Sequence, residues 1–170
     1  MFLRGRCGRL CGSNSERAVA HDLAMATAPR RYLTRRRILI IDDHALVRRG
    51  VSVLIDNERD LMVCAAAATL QEGLAAIATA RPDLVIVDLS LGDDDGLVLV
   101  KDIRSGHAAL PILVLSIHDA VSCAEQAFRA GANGYVTKQE MSDALLVAIR
   151  RVLGGESYAS PKIRAALDAT

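Results

Sequence analysis

Four apolar stretches of this sequence end on residues able to do chemistry. Ile38-Leu39-Ile40-Ile41 runs into Asp42-Asp43, Leu84 to Val87 into Asp88, Ile112 to Leu115 into Ser116, and Gly134 to Thr137 into Lys138. Taken singly, each has an ordinary explanation, since Asp caps helices, Ser satisfies turns and Lys is usually a solvated charge. Brought to one place, they are a different object. Three carboxylates held close repel one another and raise their own pKa values unless a cation sits among them, and oxygen-only ligands indicate a hard ion such as Mg²⁺. With that ion bound, one carboxylate can attack a phosphoryl group while an ammonium neutralises charge on the transferring oxygens. Asp88 is central enough for that task.

The elements between these residues decide whether they meet. Arg35-Arg36-Arg37 and Asp42-Asp43 bound a continuous apolar run at 38–41, the pattern of a strand buried on both faces. Val47, Val51, Leu54 and Ile55 then recur at helical spacing up to a stop near Asp56-Asn57. Leu61 to Ala66 is a second, weaker strand, and Thr69-Leu70-Gln71-Glu72 is a capping box opening a helix to about Ala80, closed by Pro82. After the strand at 84–87, Gly96 precedes a helix through Leu97, Val100 and Ile103, and Pro111 opens the strand at 112–115. Asp119 is expected to cap a helix ending at Ala130-Gly131, and Ala144, Leu145, Ala148, Ile149, Val152 and Leu153 make the stripe of the last large helix before Gly154-Gly155. Strand and helix alternating in this way predict a doubly wound, five-stranded parallel sheet with right-handed crossovers and helices on both faces. In such sheets ligands bind outside the carboxyl ends of the strands, where strand order reverses, which is where the four strand-ending groups fall.

Composition narrows the remaining classes. The chain has 170 residues, of which 51% are hydrophobic but only 3% aromatic, so one core built from Ala, Val, Leu and Ile is expected. Trp is absent, which disfavours a base-stacking RNA surface. The longest uncharged apolar run, Leu61 to Leu70, is far short of the roughly 20 residues that cross a bilayer. His21 and Asp22 interrupt the only stretch that could serve as a signal-peptide core, so a cytoplasmic location without membrane contact is expected. Cys64 and Cys123 lie in apolar periodic segments, while Cys7 and Cys11 form a lone C-x-x-x-C with no second ligand pair, which speaks against a metal site there. Residues 1–37 contain nine Arg against Glu16 and Asp22, a net charge of +7, whereas residues 38–170 carry −6. Residues 1–35 therefore read as a basic, disordered extension without a sustained apolar face. Contact with nucleic acid or an acidic membrane surface and an Arg-rich presequence are the competing accounts, the last weakened by scarce Ser. Met25 is an alternative start, which would make residues 1–24 an upstream extension.

The wording of the strand ends resembles a known family, the receiver domain of two-component response regulators, over about residues 36–155. I-L-I-I-D-D-H, L-V-I-V-D-L-S-L-G-D-D-D-G, I-L-V-L-S-I-H-D and G-A-N-G-Y-V-T-K occur in order, and their detail is most similar to the NarL/FixJ subfamily. The resemblance implies flavodoxin-like strand order 2-1-3-4-5. It also implies that Asp88 is the phosphoacceptor, that Asp42, Asp43, Asp88 and the Ser90 backbone carbonyl hold Mg²⁺, and that Ser116 and Lys138 contact the phosphoryl group. Tyr135 matches the aromatic switch position, expected to turn inward as Ser116 shifts on phosphorylation. Ser90 and His118 match positions that tune dephosphorylation. A sensor histidine kinase is the implied partner, with a homodimer on phosphorylation, and the only catalysis implied is of the domain's own phosphorylation and dephosphorylation, so the chain is not an enzyme in the usual sense.

Two departures stand out. Gly92 replaces the usual proline, which predicts a more mobile loop after Asp88, and Asp93-Asp94-Asp95 adds negative charge beside the site. Gln139 follows Lys138 where some receivers carry a cis-proline. Members of this subfamily usually carry a helix-turn-helix domain, but only seventeen residues follow Leu153, and within 156–170 Ser160-Pro161-Lys162-Ile163 reads as the start of a short linker helix. Two functions follow: a phosphorelay receiver that switches protein contacts, or the receiver fragment of a DNA-binding transcriptional regulator. Direct DNA binding by this chain alone is not expected. A flavodoxin-like enzyme would need a Gly-rich phosphate loop after the first strand, and none is present.

Overall fold

The computed structural model describes residues 34–92 and 94–168. The basic extension, with Cys7, Cys11 and Met25, and Asp93 lie outside the described residues. In chain order the elements are β1 (Arg36–Ile41), α1 (Ala45–Asp56), β2 (Leu61–Ala67), α2 (Leu70–Ala80), β3 (Leu84–Val87), β4 (Ser90–Leu91), β5 (Asp94–Asp95), α3 (Gly96–Gly106), β6 (Ile112–Ser116), α4 (Val121–Ala130), β7 (Gly134–Thr137), a 3₁₀ turn (Lys138–Glu140), α5 (Met141–Leu153), β8 (Tyr158–Ala159) and α6 (Pro161–Leu167).

The main sheet has the order β2-β1-β3-β6-β7-β8 and is parallel throughout. Its strands read as continuous apolar runs because both faces are covered. Ile38, Ile40, Leu84, Ile86, Leu113, Leu115 and Val136 pack on one face with Val51 and Ile55 of α1 and Leu145 and Ile149 of α5. The alternate residues Leu39, Ile41, Val85, Val87, Ile112, Val114 and Tyr135 pack on the other with Ile77 of α2, Leu99 and Ile103 of α3 and Ala124 and Ala127 of α4. Period-two alternation thus sorts one strand's side chains between two helical layers. Among the described residues no helix is long and apolar enough to cross a membrane.

The sheet has six strands where five are expected. The sixth, β8, has no apolar run to announce it and is made by pairing. Gly134 faces Tyr158 and Tyr135 faces Ala159, covering an edge that β7 would otherwise leave open. Local caps also depart from expectation. Thr69 Oγ1 accepts from Glu72 N–H at 3.2 Å, but Glu72 reaches back to the N–H of Ala68 rather than that of Thr69. Asp119 does not cap α4, whose N-cap is Ala120 without a side-chain hydrogen bond. Its carboxylate is instead bonded by the Lys162 ammonium, so a charged partner distant in sequence outcompetes the local N–H groups. Ser160 does precede α6, with Pro161 in its first turn, but its hydroxyl makes no cap bond.

Candidate functional site

Because β1 pairs with both β2 and β3, chain order reverses at β1, and the carboxyl ends of β1 and β3 lie side by side at that crevice. Ile41 pairs with Val87, so the next residues, Asp42 and Asp88, emerge as neighbours. Both are buried. Ser116 closes β6 and Lys138 follows β7 on the same edge. Gly96 lets the start of α3 lie against this edge: a Cβ there would fall 2.2 Å from Asp88 O and 2.5 Å from Leu89 Cα.

Lys138 Nζ lies 2.6 Å from Asp88 Oδ2 and 2.8 Å from Asp42 Oδ2, with its side chain only 12% exposed. Burial pushes the Asp88 carboxyl above the usual carboxylate range, and hydrogen bonds from Lys138 and the Ser90 N–H offset this only in part. For Lys138, burial works to lower the pKa, but the close Asp42 and Asp88 carboxylates outweigh it, so the ammonium is held above its ordinary value. The remaining Asp88 oxygen, Oδ1, accepts from Ser90 N–H at 3.2 Å.

Asp42, Asp43, Asp88 and His44 place ligand atoms within 4.8 Å of one another. Asp42 Oδ2, 2.8 Å from Lys138 Nζ, and Asp43 Oδ1, 2.7 Å from His44 Nδ1, are buried acceptors whose cationic or imidazole neighbours do not reach them with good hydrogen-bond geometry. Oxygens left in that state, in a cluster of three carboxylates, fit a hard divalent cation such as Mg²⁺. His44 is the neighbour that reading by motif passes over. Its Nδ1 lies 2.7 Å from Asp43 Oδ1, and the D-D-H wording was the available signal.

The loop after Asp88 is joined to the acidic cluster through Gly92. Gly92 takes φ +61° and its N–H donates to Asp43 Oδ2 at 3.1 Å. A proline could neither adopt that backbone nor supply that donor, so the glycine ties the loop to the acidic cluster. The extra acids are partly spent on helix starts: Asp95 accepts from Leu97 N–H at 2.8 Å and Asp94 from Leu70 N–H at 3.4 Å.

The Tyr135 ring is fully buried, and its hydroxyl donates to His118 O at 2.7 Å. Ser116 Oγ in turn accepts from His118 N–H at 3.1 Å. A buried phenol needs a partner for its hydroxyl, and the His118 carbonyl provides it.

Comparison with known proteins bears on the fold that carries these residues. The family model described as response regulator receiver domain matches residues 38–150. Oxygen regulatory protein NreC of Staphylococcus haemolyticus is 34% identical over 132 residues, which are 77% of this chain and 61% of NreC. Transcriptional regulatory protein UhpA of Salmonella typhimurium is 36% identical over 132 residues, 78% of this chain and 66% of UhpA. The chain thus spans less than two thirds of the length of these curated relatives. Among solved structures, a two-component response regulator of the LuxR family from Aurantimonas sp. superposes with a TM-score of 0.75 at 36% identity, covering 78% of this chain and 94% of that one.

Proposed function

This chain belongs to the response regulator receiver domain family, and from that premise we propose that it accepts a phosphoryl group on Asp88, dependent on Mg²⁺, from a sensor histidine kinase. The observation that carries the reading is the buried Asp88 carboxylate held by Lys138 at 2.6 Å beside two further carboxylates. Asp88 attacks phosphorus as its bond to the donor's imidazole nitrogen, or to the oxygen of a small acyl phosphate, breaks. The electron pair of that bond leaves with the donor, and an aspartyl phosphate forms. Asp42 and Asp43 would hold the cation with Asp88 and the Ser90 carbonyl, and when bound it would supply positive charge against the transferring oxygens. Lys138 follows the charge from carboxylate to phosphoryl oxygen, and the Ser116 hydroxyl donates to the new group.

The domain acts on its partners by population shift, its catalysis being confined to its own phosphorylation and dephosphorylation. Adding Mg²⁺ and beryllium fluoride, a phosphoryl mimic, should move the amide resonances of residues 116–150. Identical spectra with and without the mimic would sink the switch.

A second reading is favoured by the partial coverage of NreC and UhpA: the chain is the receiver portion of a longer transcriptional regulator. Translating the DNA beyond the codon for Thr170 tests it, a helix-turn-helix sequence in frame being the supporting result and a stop codon the opposing one.

A further inference from the structure

Residues 156–168 return to the sheet and settle over its β7 edge. Tyr158 N–H donates to Asn133 O at 3.0 Å and Ser160 N–H to Tyr135 O at 2.9 Å. Ile163 of α6 is fully buried and belongs to the same apolar cluster as Tyr135, Ala124 and Ala127, and α6 packs against α4. One residue ties this segment from two sides. The Lys162 backbone N–H donates to Glu140 Oε1 at 3.2 Å, while its ammonium donates to Asp119 Oδ2 at 2.5 Å. Glu140 closes the turn that begins with Lys138, and its other oxygen accepts from Thr137 Oγ1 at 2.7 Å. Asp119 lies in the loop that begins after Ser116. Lys162 therefore bridges the two backbone segments that carry the hydroxyl and the ammonium of the candidate site.

We propose that residues 156–168 are an output segment docked on the receiver's own α4–β7 edge, and that the Asp119–Lys162 contact is the latch that loosens when a phosphoryl group occupies the site. The inference rests on the reading of Asp88 as phosphoacceptor. His118 is held at both ends of its peptide, its N–H on Ser116 Oγ and its carbonyl on the Tyr135 hydroxyl. A shift of Ser116 toward Asp88 therefore draws residues 117–119 with it and takes Asp119 from Lys162. The ion pair is exposed, at 46% and 54% for the two side chains, so it biases docking while Ile163 and the β8 pairing anchor it.

Hydrogen exchange on the full chain tests the latch. With Mg²⁺ and beryllium fluoride, the amides of residues 158–164 should exchange roughly threefold faster than in the metal-free protein, the scale of losing an exposed ion pair from a local opening equilibrium. Lys162→Ala and Asp119→Ala should show the fast rate without fluoride, and the double exchange Asp119→Lys with Lys162→Asp should restore both slow exchange and its response. Unchanged protection at 158–164, while amides near Ser116 and Lys138 respond to fluoride, overturns the latch and leaves the phosphoacceptor reading standing. Unchanged protection in Lys162→Ala overturns it as well. If fluoride moves no amide near Ser116 or Lys138, the phosphoacceptor reading falls and takes the latch with it.

Discussion

Lys138→Met should cost the metal-free protein about 3 kcal/mol of folding stability at neutral pH, because it leaves buried Asp42 and Asp88 facing each other without a cation. The methionine keeps the length and apolar stem of the lysine, so the loss is one of charge rather than of packing. Burial already holds the Asp88 carboxyl above its ordinary range, and the Lys138 hydrogen bond is the first of the influences pulling it down. Without that bond the folded-state pKa rises further above the unfolded value. A carboxyl in that condition contributes stability below the unfolded pKa and loses it as pH rises through the folded one. The variant should therefore regain stability relative to wild type as pH is lowered from about 7 to about 5. Mg²⁺ should raise its urea midpoint more than that of wild type, since a bound cation replaces the missing ammonium. Equal midpoints for the two proteins in chelator would contradict the assignment of Lys138 as the charge partner of the cluster.

Gly96→Ala should destabilise by roughly 3 kcal/mol, an overpacking cost at the upper end of the usual range. The added Cβ would lie 2.2 Å from the Asp88 carbonyl and 2.5 Å from Leu89 Cα, and these are backbone atoms with no free rotor to turn away. Relief requires moving either the start of α3 or the backbone carrying Asp88, so Mg²⁺ affinity should fall together with stability. Gly50→Ala is the matched control. Nothing lies within 4 Å of a Cβ at Gly50, inside α1, and removing a helix-interior glycine there should stabilise by roughly 0.5–1 kcal/mol. Denaturant titration of the two variants checks both signs.

Much of this site is legible in the sequence because a strand buried on both faces must be written as an uninterrupted apolar run, so its end is marked by the first polar residue. Asp42, Asp88 and Lys138 are read in that way, and Leu84–Val87 and Gly134–Thr137 match their strands residue for residue. What is not legible depends on partners remote in the chain. The two residues of β8 carry no periodicity and become a strand only through the backbone of Asn133 and Tyr135. Asp119 satisfies a local capping rule, yet Lys162, 43 positions away, takes its carboxylate. The inward position of Tyr135 depends on a carbonyl at His118 that no side-chain pattern reveals. The bond from the Gly92 N–H to Asp43 likewise joins positions 49 apart, through a donor that a proline lacks.

The central claim is tested most directly by incubating the protein with a phosphate-labelled small acyl phosphate in the presence of Mg²⁺ and following covalent label. Wild-type protein should acquire label that mild base releases, as an aspartyl phosphate requires. Excess chelator should prevent it, because the incoming anion then meets Asp42, Asp43 and Asp88 with Lys138 alone to oppose them. Asp88→Asn should take up none while retaining its fold. Label appearing equally in chelator, or persisting on Asp88→Asn, would contradict the account.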